Sequence, residues 1–440
     1  MSPAHAQLFL ENFHHVATFG ATDANGVDRQ AATPEDKLSR DWFAHFARER
    51  GWEVRVDGIG NMFALLNWTP GAPYVVIGSH LDSQPLGGRF DGAYGVIAGL
   101  HAAAELDERV KLGSDNGSIS VPQFNLSVVN WFNEEGGRFA PSIMGSSVFA
   151  GLMDEEKMLG VKDLAGVTVR EALESIGYLG TDERPEVAGY AEIHIEQGRI
   201  LERENLTIGA VDYSWYTQKL DIEVLGEQSH TGATAMADRH DALVAASKIV
   251  LLVHDVTQKF EEEAIVSSVG HMTLEPNSPI VVARRVHLVA DLRSASPEIV
   301  KEARASLIED IAKIAREHDI RINVNDFDIR DIQYYPENGL ELIEKAAANL
   351  GLGVRRMRTM AGHDSVAMNR MVPTAMLFIP SVDGVSHCER EFTTDADMVS
   401  GLETLTAVAW EMVNGALEDE PKDLDLDDVQ DQLSQDVSAR

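Results

Sequence analysis

The hexapeptide Gly78-Ser79-His80-Leu81-Asp82-Ser83 is followed by Gly87-Gly88-Arg89-Phe90-Asp91-Gly92, which sets an imidazole and a carboxylate eleven residues apart. Both follow the apolar run Tyr74-Val75-Val76-Ile77, a pattern that predicts a strand ending in potential metal donors. Three further clusters carry the same side-chain types: Asn133-Glu134-Glu135-Gly136-Gly137, His194-Ile195-Glu196-Gln197-Gly198 and Ser386-His387. Imidazole nitrogen and carboxylate oxygen suit zinc and similar divalent ions, and the two oxygens of a carboxylate can bridge a pair of them. Asp91 is the candidate bridge, with His80 and His194 completing one ion and Glu135 and His387 the other. Two ions about 3.5–4 Å apart can share a water, lower its pKa and polarise a carbonyl, which is hydrolase chemistry.

Such a site needs a proton shuttle. Adjacent Glu134 and Glu135 point apart if the backbone is extended, so one can bind metal while the other faces substrate; Glu134 is assigned as general base and later acid. Asp82, two residues past His80 on the same strand face, is placed to accept the spare imidazole N–H. Taken singly, each cluster is weak, because lone histidines and Glu-Glu pairs are commonly solvated. Their joint appearance beside glycine-rich turns and apolar strands is what favours a metal site.

The elements that must hold these residues alternate. Strand Tyr74–Ile77, a helix from about Gly92 to Leu106 and strand Leu126–Phe132 predict α/β construction around a mainly parallel sheet. His80, Glu134 and Glu135 then fall at carboxyl ends of strands, where ligands collect in such sheets, whereas His194 is read as lying inside its strand between Glu192 and Glu196. Around Asp212 the pattern changes to strand Gln218–Leu225, helix His240–Val256, strand Val281–Leu292, helix Pro297–His318 and strand Arg321–Phe327. This βαββαβ-like order predicts a smaller α+β domain, residues 212–330, inserted into a catalytic domain formed by residues 1–211 and 331–417. The resumed part holds helix Gly339–Leu350, strand Thr374–Ile379 and helix Asp395–Leu417. Lys111–Val121 reads as a surface loop, and residues 418–440 as a disordered acidic tail.

Composition bounds the function. A chain of 440 residues, 44% hydrophobic, exceeds the usual size of one core and predicts two domains. The single cysteine, Cys388, excludes an internal disulfide framework and a thiolate zinc cluster. With 71 acidic against 37 basic residues, the net charge of -34 disfavours nucleic acid and anionic membranes as partners. No basic leader precedes a long apolar stretch and no run approaches about eighteen apolar residues, so a cytoplasmic protein acting on a small-molecule substrate is expected.

In order, the segments GSHLDSQPLGGRFDGAYG, NEEGGRF, HIEQG, QSHTGATAM, DLRS, AGHDS and FIPSVDGVSH resemble the hydantoinase/carbamoylase amidases of the M20 metallopeptidase clan. The resemblance runs from about Thr33 to Leu417 and is carried most specifically by HIEQG together with the Asn-Glu-Glu-Gly run. It implies a di-metal catalytic domain, an inserted dimerisation or lid domain, and a homodimer with a shared active site. It also implies two divalent ions per subunit, zinc first, with manganese, cobalt or nickel as alternatives. By the same resemblance Gln197 contacts substrate, His230 reaches the scissile carbonyl from the partner subunit, and Arg293 holds the substrate carboxylate. His363 and Asp364 match a motif expected to support the site.

Two departures stand out. Relatives carry an asparagine that assists the arginine where this chain has Ile280, and the loop Asp212-Tyr213-Ser214-Trp215-Tyr216 replaces a smaller segment. Tyr213 and Trp215 either line the pocket or pack at the hinge. With Ile280 they motivate a substrate more apolar than allantoate. The reaction expected is hydrolysis of a linear C–N bond, foremost of an N-carbamoyl-L-amino acid to amino acid, carbon dioxide and ammonia. An M20-type aminoacylase or dipeptidase and an allantoate amidohydrolase are the enzyme alternatives, and a non-catalytic metal or small-molecule binding protein is the alternative of a different class.

Overall fold

The computed structural model describes residues 1–116 and 120–417, so the acidic tail lies outside the described residues. The chain divides into two compact units. Among the described residues one comprises Met1–Asp212, Tyr335–Met357 and residues 363–417; the other comprises Tyr213–Tyr334 with Arg358–Gly362.

The first unit is built on an eight-stranded sheet. Its strands run, in spatial order, Glu53–Val56, Met62–Leu66, Asn125–Trp131, Tyr74–His80, Val187–Ile195, Thr374–Ile379, Ile208–Ser214 and Val354–Thr359. The four central strands are parallel, from Asn125–Trp131 to Thr374–Ile379. They are buried almost throughout, which is why they read as continuous apolar runs rather than alternating ones. Parallel pairing brings His80, Trp131, Ile195 and Ile379 to the same edge of the sheet as strand ends, so the loops that follow them converge. Helices Ala93–Asn116 and Asp395–Val413 pack with these strands into the main core around Ile97, Leu100, Ile193, Leu377 and Leu405.

Gly92 begins the turn into the helix at Ala93. Its φ of 61° lies in the left-handed region, and a Cβ there would stand 2.3 Å from the His80 ring, so only glycine lets the chain pass this histidine.

The second unit carries a four-stranded antiparallel sheet in the order Arg321–Arg330, Tyr216–Leu225, Arg285–Ser294, Val266–Glu275. Alternate residues such as Leu220, Ile222, Val286 and Leu288 are buried with Ala245 and Ile249 of helix Ala242–Asp255 and with Val300 and Leu307 of helix Pro297–Glu317.

Several sequence expectations shift. Val266–Glu275 was not anticipated as a strand; it is the edge of its sheet, half exposed and rich in Ser, Gly and Thr, so it lacks an apolar run. The expected strand Val281–Leu292 is broken at Ala283-Arg284 into Val281–Val282, paired with Ser229–His230, and Arg285–Ser294. The expected loop from Lys111 is instead helix as far as Asn116, because one glycine costs a helix only about 1 kcal/mol. His194 is the penultimate residue of its strand, so it too reaches the carboxyl edge. Among the described residues no helix is long and apolar enough to cross a membrane.

Candidate metal centre

Where the central strands end, the chain gathers a set of acids and imidazoles in which His80, Asp91, Glu134 and His194 are buried, Glu135 is half-buried and His387 is exposed. His80 Nε2 lies 3.5 Å and His194 Nε2 3.0 Å from Asp91 Oδ1, while His387 Nε2 lies 3.2 Å from Asp91 Oδ2 and 3.3 Å from Glu135 Oε2. Each triad, His80–Asp91–His194 and Asp91–Glu135–His387, presents donor atoms within 4.8 Å of one another. The two oxygens of one carboxylate therefore face two different donor sets.

Imidazole orientation follows from the second nitrogen. Nδ1 of His80 donates to the carbonyl of Asp82 and Nδ1 of His194 to that of Ile195, each at 2.9 Å. The Gly92 N–H donates to His194 Nε2 at 3.1 Å, which assigns that nitrogen as an acceptor. Asp82 thus acts differently from expectation: its backbone carbonyl, not its carboxylate, takes the His80 N–H, because the strand ends at His80 and the chain turns. Its carboxylate instead accepts the backbone N–H groups of Glu134 and Glu135, at 3.2 and 3.3 Å.

The two adjacent glutamates diverge. Glu134 Oε2 lies 3.5 Å from His80, whereas Glu135 is held by the Gln84 backbone N–H and side-chain amide on the His387 side. Asn133, at φ 52°, supplies the left-handed turn that precedes them.

The electrostatics of the cluster suit a cation-binding site. Burial pushes the Glu134 carboxyl well above its usual range, aided by Asp364, Glu135 and Asp91, although His80 opposes it. Glu135 is pushed up to about 7 by burial and by Asp91. Burial disfavours charge on His387, but Glu135 and Asp91 outweigh it and raise the imidazole above its ordinary value. Asp91, despite burial, is held well below the carboxylate range by His194, His387 and His80. Carboxylates gathered with imidazoles so that their donor atoms lie within 4.8 Å of one another favour either shared protons or a multivalent cation, and the donor set fits a cation.

Metal donors must be deprotonated, so binding is expected to release protons, and affinity to rise with pH by at least about tenfold per unit below the Glu135 value of about 7. Calorimetric titration of the chelated protein in buffers of different ionisation enthalpy checks this; an affinity independent of pH would contradict it.

The other residues singled out by sequence are distributed as follows. Gln197 donates from Nε2 to Asp91 Oδ2 at 2.7 Å and to Ser386 Oγ at 3.0 Å, and its buried Oε1 has no hydrogen-bond partner among the described residues. His363 packs edge-on against the His194 ring, centroids 4.6 Å apart, and Asp364 accepts the Ser146 hydroxyl at 2.5 Å. In the second unit, His230 is exposed and its Nδ1 accepts the N–H groups of Gly232 and Ala233, which leaves the ring proton on Nε2. The Thr231 N–H donates to the Ile280 carbonyl, and the Ile280 side chain is 66% exposed. Arg293 is clamped by Asp291 and donates to the Met360 carbonyl. Tyr213 packs against Tyr334 with the two rings tilted 37° to each other, and Trp215 is buried with the Arg358 guanidinium over its ring.

Sequence reasoning missed Gln84, Glu192 and Glu391. Glu192 accepts from the Ser79 hydroxyl and the Ser365 backbone N–H, each at 2.7 Å, and Glu391 accepts from the Phe90 and Asp91 backbone N–H groups. Their partners lie up to 301 residues away, so no local pattern marks them.

An α/β scaffold that offers imidazole and carboxylate donors at the carboxyl edge of its parallel strands is that of a metal-dependent hydrolase. The model of peptidase family M20/M25/M40 matches residues 76–411, and the chain belongs to that family. An N-carbamoyl-L-amino-acid amidohydrolase of Rhizobium meliloti is 34% identical, covering 88% of this chain and 91% of its own length. A protein of Mycolicibacterium smegmatis named only as a hydrolase is 47% identical, covering 93% and 94%. The crystal structure of a hydantoinase/carbamoylase family amidase from Burkholderia vietnamiensis superposes with a TM-score of 0.87 at 34% identity, covering 93% of this chain and 98% of that one. The protein is an enzyme, an amidohydrolase of the M20 family.

Proposed function

We propose that this enzyme hydrolyses the linear C–N bond of an N-carbamoyl-L-amino acid, releasing the amino acid, carbon dioxide and ammonia. The observation that carries the reading is Asp91, whose two oxygens face the His80–His194 and Glu135–His387 pairs. Two divalent ions held there, zinc foremost, would acidify a shared water and polarise the ureido carbonyl. Glu134 takes the proton of the attacking water and returns it to the leaving nitrogen, and its raised pKa suits a group that must hold that proton in between. His230, with its proton on Nε2, is a ready donor to a developing oxyanion, acting from the partner subunit of a homodimer. The unpartnered Oε1 of Gln197 can accept a substrate N–H, and Arg293, oriented by Asp291, binds the substrate carboxylate. Ile280, apolar and exposed, favours substrates less polar than allantoate. The enzyme is read as cytoplasmic.

The test is ammonia release by metal-reconstituted protein over a panel of N-carbamoyl-L-amino acids, with allantoate, matched N-acetyl amino acids and a chelated control. Chelator-sensitive ammonia from the carbamoyl compounds, above that from allantoate, is the expected result. Free amine from the acetyl compounds alone would replace this reading with an aminoacylase.

A further inference from the structure

Glu391 is a buried carboxylate, 3% exposed, from the loop that follows His387. Its Oε1 accepts the backbone N–H groups of Phe90 and Asp91, at 2.9 and 3.1 Å. Its Oε2 lies 2.7 Å from the Ser386 hydroxyl. A Cβ on Gly88 would stand 2.0 Å from this carboxyl, so the Glu391 side chain sits in the space that a larger residue at position 88 would take. Ser386 Oγ also receives the Gln197 amide and lies 3.0 Å from Asp91 Oδ2, the oxygen that faces His387. The hydroxyl has one proton and two carboxylates within reach.

Asp91 Oδ2 already accepts the Gln197 amide at 2.7 Å, so one lone pair remains on it. We propose that Glu391 is a positioning residue that draws the Ser386 hydroxyl proton to itself and so leaves that remaining lone pair of Asp91 Oδ2 to the ion shared with Glu135 and His387. The inference rests on the two-ion reading above. The direction of that proton matters because, with the Gln197 amide on one lone pair, an O–H donated to Asp91 Oδ2 would occupy the second, whereas the same O–H donated to Glu391 leaves the second for the ion. The other oxygen, Oδ1, faces His80 and His194 and has no such competitor among the described residues. Glu391 therefore governs the second ion and not the first.

Glu391→Gln separates this role from a merely structural one. The amide oxygen still accepts the Phe90 and Asp91 N–H groups, so the loop junction keeps its size and shape. The amide nitrogen, however, donates to Ser386 Oγ, which turns the hydroxyl proton toward Asp91 Oδ2. Zinc titration of the chelated full-length protein by calorimetry should show two ions in the wild type. In Glu391→Gln the second should bind about 10- to 100-fold more weakly, with the first within about threefold and the metal-free melting temperature unchanged. Adding Ser386→Ala removes the competing proton and should return second-ion affinity to that of Ser386→Ala alone. The proposal is overturned if Glu391→Gln binds both ions as the wild type does, if the double variant stays as weak as Glu391→Gln, or if both ions and thermal stability fall together. A wild type that takes fewer than two ions would remove the two-ion reading and this inference with it.

Discussion

Replacing Glu134 with Gln is expected to lower kcat by roughly 100- to 10,000-fold, the range for loss of a general acid–base, while both ions still bind. The substitution keeps the size of the side chain and one oxygen near His80 but removes the capacity to take a proton. Glu134 stands outside both donor triads, whose carboxylates are Asp91 and Glu135, so metal content should not change. KM should move little, since the lost interaction belongs to proton transfer rather than to substrate binding. Steady-state kinetics with elemental analysis of the same preparation decide it. Full turnover would remove Glu134 from the chemistry, and loss of metal alongside activity would make it a ligand instead.

The second large effect is expected at Asp91. Alanine there takes a donor from both triads at once and leaves His80, His194 and His387 without the carboxylate they share. Both ions should be lost and activity should fall to background. His387→Ala, by contrast, takes a donor from one triad only and should cost one ion. The contrast between the two variants is the informative result, because a general disturbance of the fold would not sort them by ion count. Equal metal loss in Asp91→Ala and His387→Ala would argue against a shared carboxylate.

Much of the candidate site was legible because its chemistry is local in sequence. His80 follows an apolar run, Glu134 and Glu135 follow another, and glycines flank both, so donor type and strand-end position could be read without coordinates. Central strands buried on both faces must be continuously apolar, which made Tyr74–His80, Asn125–Trp131 and Thr374–Ile379 visible. Val266–Glu275 is exposed or half-exposed along its length and is interrupted by Ser267, Ser268 and Gly270, so it shows no apolar run that could be read as a strand.

Other features depend on distant chain meeting in space. Asp82 sits two residues from His80, yet the turn after the strand gives its carboxylate to the Glu134 and Glu135 backbone N–H groups, so its carbonyl takes the imidazole N–H while the carboxylate stays 3.6 Å from it. Trp215 could have lined a pocket or packed; its burial beneath Arg358 depends on a segment more than a hundred residues later. The sequence by itself determined the donor types, their order along the chain and the parallel strands that carry them, because side-chain chemistry and apolar periodicity are local properties. Only the tertiary structure decided which oxygen of Asp91 meets which histidine, and that Glu391 and Gln84 brace the ligand loops, because those hydrogen bonds join segments that no short-range pattern connects.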